Sequence, residues 1–178
     1  MPFHALSPSH PRGFTLVEAL VVLALLAVLA LLAGPPLQSL VDRWHLDAAA
    51  TALAHDLQFA RSEAVVRNEP VHLSVLSDGA LGACYLVHTG PASACSCRNR
   101  CTGEASWLRQ VDLPASRRLT LLAPATSLHF DQQLGTCTPA GTFQLSSPSG
   151  AAVNQIVSVM GRVRSCSPGG TVAGHAAC

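Results

Sequence analysis

The sequence predicts an α+β protein, a long N-terminal helix followed by an antiparallel β-sheet domain. Three observations carry this. Residues 14–33 are apolar apart from Thr15 and Glu18. Residues 37–68 bring apolar side chains back at mostly three- and four-residue steps, the period of an amphipathic helix. Beyond Pro70, short β-type runs alternate apolar and polar residues between Gly, Pro, Ser and Asp, as half-buried antiparallel strands do.

The elements follow in order. Residues 1–13 ("MPFHALSPSHPRG") are polar, proline-containing and short, with Arg12 as their one formal charge. Residues 14–34 read as the membrane-spanning half of the helix, since twenty residues at about 1.5 Å each match one hydrocarbon core of roughly 30 Å. A secretory signal competes for this stretch, because "LALLAGPP" resembles a cleavage site. Gly34-Pro35-Pro36 permits a bend without ending the helix. Residues 35–68 form the amphipathic half, whose expected buried face holds Leu37, Leu40, Val41, Trp44, Ala48, Leu53, Leu57, Ala60 and Ala64. Residues 69–178 form the β-rich globular domain, with strands expected at "VHLSVL", "CYLVHT", "WLRQVDL", "RLTLLA", "SLHFD", "TFQLS" and "NQIVSVMGRVR".

Seven cysteines, at 84, 95, 97, 101, 137, 166 and 178, are many for a cytosolic chain. They point to an oxidising compartment with up to three disulfides and one thiol left over. The aperiodic "PASACSCRNRC" reads as an exposed loop stapled by its own cysteines. A metal site there is the competing reading, but the C-x-C-x₃-C spacing is not the C-x₂-C pair of structural zinc sites. No metal and no cofactor is expected. Cys166 and Cys178 are candidates to close the C-terminal loop. No nucleophile elbow, zincin motif or phosphate loop occurs, so the chain is not expected to be an enzyme.

Every basic residue is arginine, eleven in all. Residues 14–78 hold three arginines against seven acids, and residues 79–178 hold seven against three. Overall neutrality thus hides a basic C-terminal half, compatible with an anionic partner. Within it, Gly161 permits a turn or bulge. Arg162 and Arg164 stand two apart, so an extended chain points both the same way, about 7 Å from each other. Guanidinium groups grip phosphate oxygens in a bidentate fork, and the pair is a candidate clamp for a nucleic-acid backbone. The alternative is a pair of solvated arginines that guards an edge strand against unwanted pairing. Arg98, Arg100, Arg117 and Arg118 are weaker DNA candidates, with Arg109 as a further extension of the surface. Aromatic residues are scarce, so base stacking has little material.

Glu18 is the remaining anomaly, because a charged side chain near a bilayer centre costs roughly 2.5–3.5 kcal/mol on insertion scales. The string "GFTLVEALVVLALLAVLALLA" resembles the signal of type IV pilins and type II secretion pseudopilins. "LAHDLQFARSEAVVRNEPVHLS" resembles the helix-to-strand junction of the GspH/FimT branch, and Gly161-Arg162-Val163-Arg164 is similar to the Gly-Arg-x-Arg motif of FimT-like minor pilins. The resemblance implies a type IV pilin fold, cleavage by prepilin peptidase between Gly13 and Phe14, and N-methylation of Phe14. It implies that Glu18 pairs with the N-terminal amine of a neighbouring subunit, which makes its burial tolerable, and that Pro35 bends the helix at the membrane exit. The competing account is that Glu18 snorkels to the membrane interface.

The expected function is a minor pilin of a type IV pilus that binds DNA without sequence preference during uptake. Its partners would be DNA, other pilins, the peptidase and the inner membrane, and its domain would be periplasmic. The alternative is a structural pseudopilin or initiation subunit of the type II secretion H kind, which binds no DNA.

Overall fold

A computed structural model describes residues 14–78, 82–98 and 101–178, without the side chains of 32–36 and 77–78. The expected leader and its cleavage site at Gly13 therefore lie outside the described residues, as do Arg100 and the Pro35 side chain. The elements run α1 (Leu16–Arg67), β1 (Val71–Asp78), β2 (Gly82–Thr89), β3 (Trp107–Pro114), β4 (Thr120–Leu122), β5 (Ser127–Phe130), β6 (Cys137–Thr138), β7 (Gly141–Ser146), β8 (Ala152–Val157) and β9 (Val163–Cys166). Two compact units result, Met1–Gln38 and Ser39–Cys178, and α1 contributes to both.

In the first unit Thr15 caps α1. Its carbonyl accepts the first intrahelical bond, from the Ala19 N–H at 3.1 Å, and its hydroxyl accepts the Glu18 N–H at 3.2 Å, which satisfies one of the donors a helix start leaves unpaired. The side chains at 14–31 are exposed, Glu18 among them. Among the described residues no helix is long and apolar enough to cross a membrane. Three of the twenty-one residues expected to span, 32–34, fall in the stretch whose side chains are not described.

The second unit is an antiparallel β domain with a helix against it. A five-stranded sheet runs β3-β2-β1-β5-β6 and a four-stranded sheet runs β4-β7-β8-β9. Leu46, Ala50, Leu53, Leu57, Ala60 and Ala64 of α1 bury against Val71, Leu73, Tyr85, Val87, Leu128 and Phe130 of one sheet and Phe143, Leu145, Val153 and Val157 of the other. The alanines let the helix backbone approach both sheets closely, and the leucines fill the space between. The expected helix face needs correction at its N-terminal end. Leu37, Leu40, Val41 and Ala48 are exposed and Trp44 is 71% exposed, while Leu46, Ala49 and Ala50 take the inward positions.

Most strands fall where alternation placed them, and two differences stand out. "NQIVSVMGRVR" divides into β8 and β9, folded into a hairpin that pairs Val157 with Val163 and Ile156 with Arg164. β6 is two residues long, too short to show a period, and arose from no sequence signal.

The cysteines form Cys84–Cys97, Cys95–Cys101 and Cys166–Cys178, and Cys137 is a buried thiol. The loop after β2 is thus stapled internally once and tied once to β2. Burial pushes the Cys137 thiol up to about 11, so it stays protonated at neutral pH.

Candidate nucleic-acid interface

The β8–β9 turn is held from three sides. Within it, the Gly161 N–H donates to the Ser158 carbonyl at 2.8 Å, the Ser158 N–H donates to the Arg162 carbonyl at 3.0 Å, and the Arg162 N–H reaches the Ser158 hydroxyl at 3.2 Å. From the neighbouring sheet, the Cys137 N–H donates to the Val159 carbonyl at 2.8 Å. From below, Gly161 lies directly on the Gly135 carbonyl, and a Cβ there would overlap that oxygen. Gly161 also has φ of +71°, a conformation that costs other residues roughly 1–2 kcal/mol. The glycine of Gly161-Arg162-Val163-Arg164 is therefore dictated by packing. Gly161→Ala is expected to destabilise the globular unit by about 2 kcal/mol, read as a lower midpoint in urea denaturation.

Val163 packs against the core, so Arg162 and Arg164 flank it on the outward side. Both are exposed, and among the described residues neither side chain makes an ion pair or hydrogen bond. Just beyond, Ser165 donates its hydroxyl to the Gln155 carboxamide oxygen, and Gln155 in turn donates to the Ala50 carbonyl of α1 at 2.9 Å. The fully buried Gln155 thus ties β9 to the helix. The Cys166–Cys178 disulfide, the Ser167–Ala177 bridge and a 2.9 Å contact between His175 and Asp47 fix the C-terminal tail beside the same strand. What the turn and β9 present is a pair of cationic forks on a rigid support, chemistry suited to anionic oxygen ligands.

The other arginines are spread over the unit. Arg98 sits in the cysteine loop beside a cleft of about 510 Å³ that Trp107, 63% exposed, also lines. Arg117 is exposed at the end of a short 3-10 turn after β3, and Arg118 reaches Asp42 at 3.8 Å. Arg109 does not extend the basic surface freely, because it pairs with the buried Asp56 and lies 4.9 Å over the Phe59 ring. Sequence reasoning missed Arg61, which meets Gly135 and Gly161 from α1. A lone arginine within a helical pattern carries no signal of a hydrogen-bond partner 74 residues away. Among the described residues no group of His, Cys, Asp or Glu is arranged to hold a metal.

Residues 49–161 match the family model described as type II transport protein GspH. The chain belongs to the GspH family. Residues 8–34 of this GspH-family chain match the prokaryotic N-terminal methylation motif, which takes in Gly13, Phe14 and Glu18. A relative, the pilin-like protein PilA1 of Thermus thermophilus, is 48% identical over 71 residues, 40% of this chain and 44% of PilA1. The match thus spans less than half of that relative's length.

The structure of the type IV minor pilin FimU of Pseudomonas aeruginosa superposes with a TM-score of 0.53 at 24% identity, over 72% of this chain and 96% of FimU. That likeness shows the type IV pilin fold, an N-terminal helix packed on an antiparallel sheet domain. The minor pseudopilin EpsH of the Vibrio cholerae type 2 secretion system gives a TM-score of 0.47 at 17% identity, over 70% of this chain and 98% of EpsH. The GspH match ends at Gly161, so Arg162 and Arg164 lie just beyond it.

Proposed function

We propose that this GspH-family chain is a minor pilin of the FimT type that holds DNA by its backbone during natural transformation. The observation that carries the reading is the outward pair Arg162 and Arg164, unpartnered among the described residues and seated on a turn whose glycine the packing dictates. Arg98, Arg100, Arg117 and Arg118 are secondary contacts. The chain is an enzyme's substrate and not itself an enzyme. Prepilin peptidase cleaves after Gly13 and methylates Phe14, the span at 14–34 anchors the domain on the periplasmic side of the inner membrane, and Glu18 docks on the amine of a neighbouring pilin.

Binding per subunit is weak, with Kd on the order of 10⁻⁴ to 10⁻⁶ M at physiological salt, and many copies raise it by avidity. The test is fluorescence anisotropy of a labelled duplex with the full chain in non-ionic detergent, across a salt series. Arg162→Ala/Arg164→Ala is expected to weaken binding about tenfold or more. It is also expected to flatten the slope of log K against log salt by about 1.8, two phosphate contacts at about 0.9 each. Identical curves for parent and variant would overturn the reading.

A second reading is favoured by the extent of the family match, which runs from residue 49 of α1 through β8 to Gly161 and stops before either arginine. It makes the chain a structural pseudopilin of a type II secretion system, with contacts only to protein. Under it the anisotropy curves of parent and double variant coincide, while Glu18→Gln still abolishes incorporation into fibres.

A further inference from the structure

Helix α1 brings another cation to the turn. The Arg61 Nε–H donates to the Gly135 carbonyl at 3.1 Å, the same oxygen on which Gly161 rests. A Cβ on Gly161 would fall 2.9 Å from Arg61 Nε and 3.0 Å from its Cδ, so the arginine stem passes directly beneath the turn. Arg61 and Arg162 then line one cleft of about 550 Å³, to which α1 also contributes Gln58, Ser62, Val65 and Val66. Among the described residues no carboxylate lines it. Beyond the bond to Gly135, the Arg61 guanidinium makes no hydrogen bond or ion pair among the described residues.

We infer that Arg61 is a third phosphate ligand, and that the cleft between α1 and the β8–β9 turn takes a phosphodiester of the DNA backbone between the Arg61 and Arg162 guanidinium groups. This rests on the DNA-binding reading and adds to it a residue from the helix. The bond from Nε to a backbone carbonyl fixes the plane of the fork and leaves the two terminal nitrogens for a ligand. A guanidinium held in this way loses less side-chain entropy on binding than a free surface arginine. Val65 and Val66, both exposed, offer an apolar wall against which a deoxyribose packs. Each partner is sequence-blind, as expected of contacts that position a duplex without reading its bases.

The experiment is the same anisotropy salt series on the full chain, with Arg61→Gln, Arg61→Lys and Gln58→Glu beside the parent and the Arg162→Ala/Arg164→Ala variant. Arg61→Gln is expected to weaken binding about fivefold and to flatten the salt slope by about 0.9, one phosphate contact. Arg61→Lys is expected to restore the slope but only part of the affinity, since it keeps the charge and loses the fork. Gln58→Glu leaves the Arg61–Gly135 bond intact and puts an anion in the cleft. It is expected to weaken binding about tenfold, which keeps the test open should Arg61→Gln fold poorly. A weaker Arg61→Gln complex with the parent's slope would mean that Arg61 only props the turn, and unchanged binding by Gln58→Glu would put the phosphate elsewhere. Either result overturns this inference while leaving Arg162 and Arg164 in place. If the double variant matches the parent, or the parent does not bind, the DNA reading itself falls and this inference with it.

Discussion

Asp56→Ala is expected to lower the unfolding free energy of the Ser39–Cys178 unit by about 3 kcal/mol. Asp56 is 2% exposed on α1 and accepts from two strands at once. The Tyr85 hydroxyl of β2 donates to one carboxylate oxygen at 2.8 Å, and the Arg109 guanidinium of β3 donates to the other. Removing the carboxylate leaves the Tyr85 hydroxyl buried without an acceptor, in a side chain only 1% exposed. Arg109 suffers less, because its side chain is 49% exposed and water can solvate it. The larger cost therefore lies with the tyrosine and with the lost tether between helix and sheet. Burial, followed by the charge and hydrogen bond of Asp56, raises the Tyr85 hydroxyl's pKa, so it remains a donor at any physiological pH. Urea denaturation followed by circular dichroism checks the prediction. Asp56→Asn, which keeps an acceptor for Tyr85, should lose distinctly less.

Acid is the second stress with a large expected effect. On the face of β1 opposite the core, His72 stands across from His88 of β2 and from His129 of β5. The three rings form a row with centroids 5.5 and 5.4 Å apart. His88 is fully buried, bonded to the Ser74 hydroxyl at 3.0 Å and to the Thr89 carbonyl at 3.0 Å. Burial, then the neighbouring His88 and His129, lowers His72 from 6.5 to about 4. Burial lowers His88 as well, opposed in part by its bond to the Thr89 carbonyl.

A base whose folded pKa lies below its unfolded value binds fewer protons in the native state. Its stabilising contribution is complete above pH 6.5 and is lost as pH falls toward about 4. Solvent screening of the half-buried ring reduces the expected loss across that window to about 2 kcal/mol from His72. Denaturation midpoints measured from pH 7 to pH 4 should fall in the parent and fall much less in His72→Gln. An equally steep decline in that variant would assign the acid sensitivity to other groups.

Much of the fold was legible from period and punctuation. The helix is written in its three- and four-residue steps and ends where Asn68, Glu69 and Pro70 interrupt them. Alternation exposed the long strands, since each has one face on the core. The misreadings have physical causes. In the stretch 44–50, alanines stand at neighbouring positions and the period alone does not say which of them faces inward, and the aromatic Trp44 drew the inferred face toward itself. β6 is too short to alternate. Arg109 looked like surface charge because the acid it serves lies 53 residues away. The pairing of Cys84 with Cys97 and of Cys95 with Cys101 was beyond reach, since close spacing permits several connectivities.

The candidate site divides in the same way. Arg162 and Arg164 were readable because a two-residue spacing on an extended chain fixes their common direction. Arg61 and Gly135 were not, because what recruits them is the path of the chain and not any local pattern. Gly161 was legible as a turn residue, but the reason for it, a carbonyl pressed against its bare Cα, exists only once β6 and α1 have come together.

Strand β9 is four residues long and has a neighbour on one side only. Such a strand is the sort that slides. A slip of one position would turn Val163 to the solvent and drive both guanidinium groups into the hydrocarbon interior. Two pins forbid it, the glycine lodged at one end and the covalent sulfur link at the other. Charge display on this surface is therefore a matter of frame, and a reductant acting at the carboxyl terminus would loosen it without touching either cation.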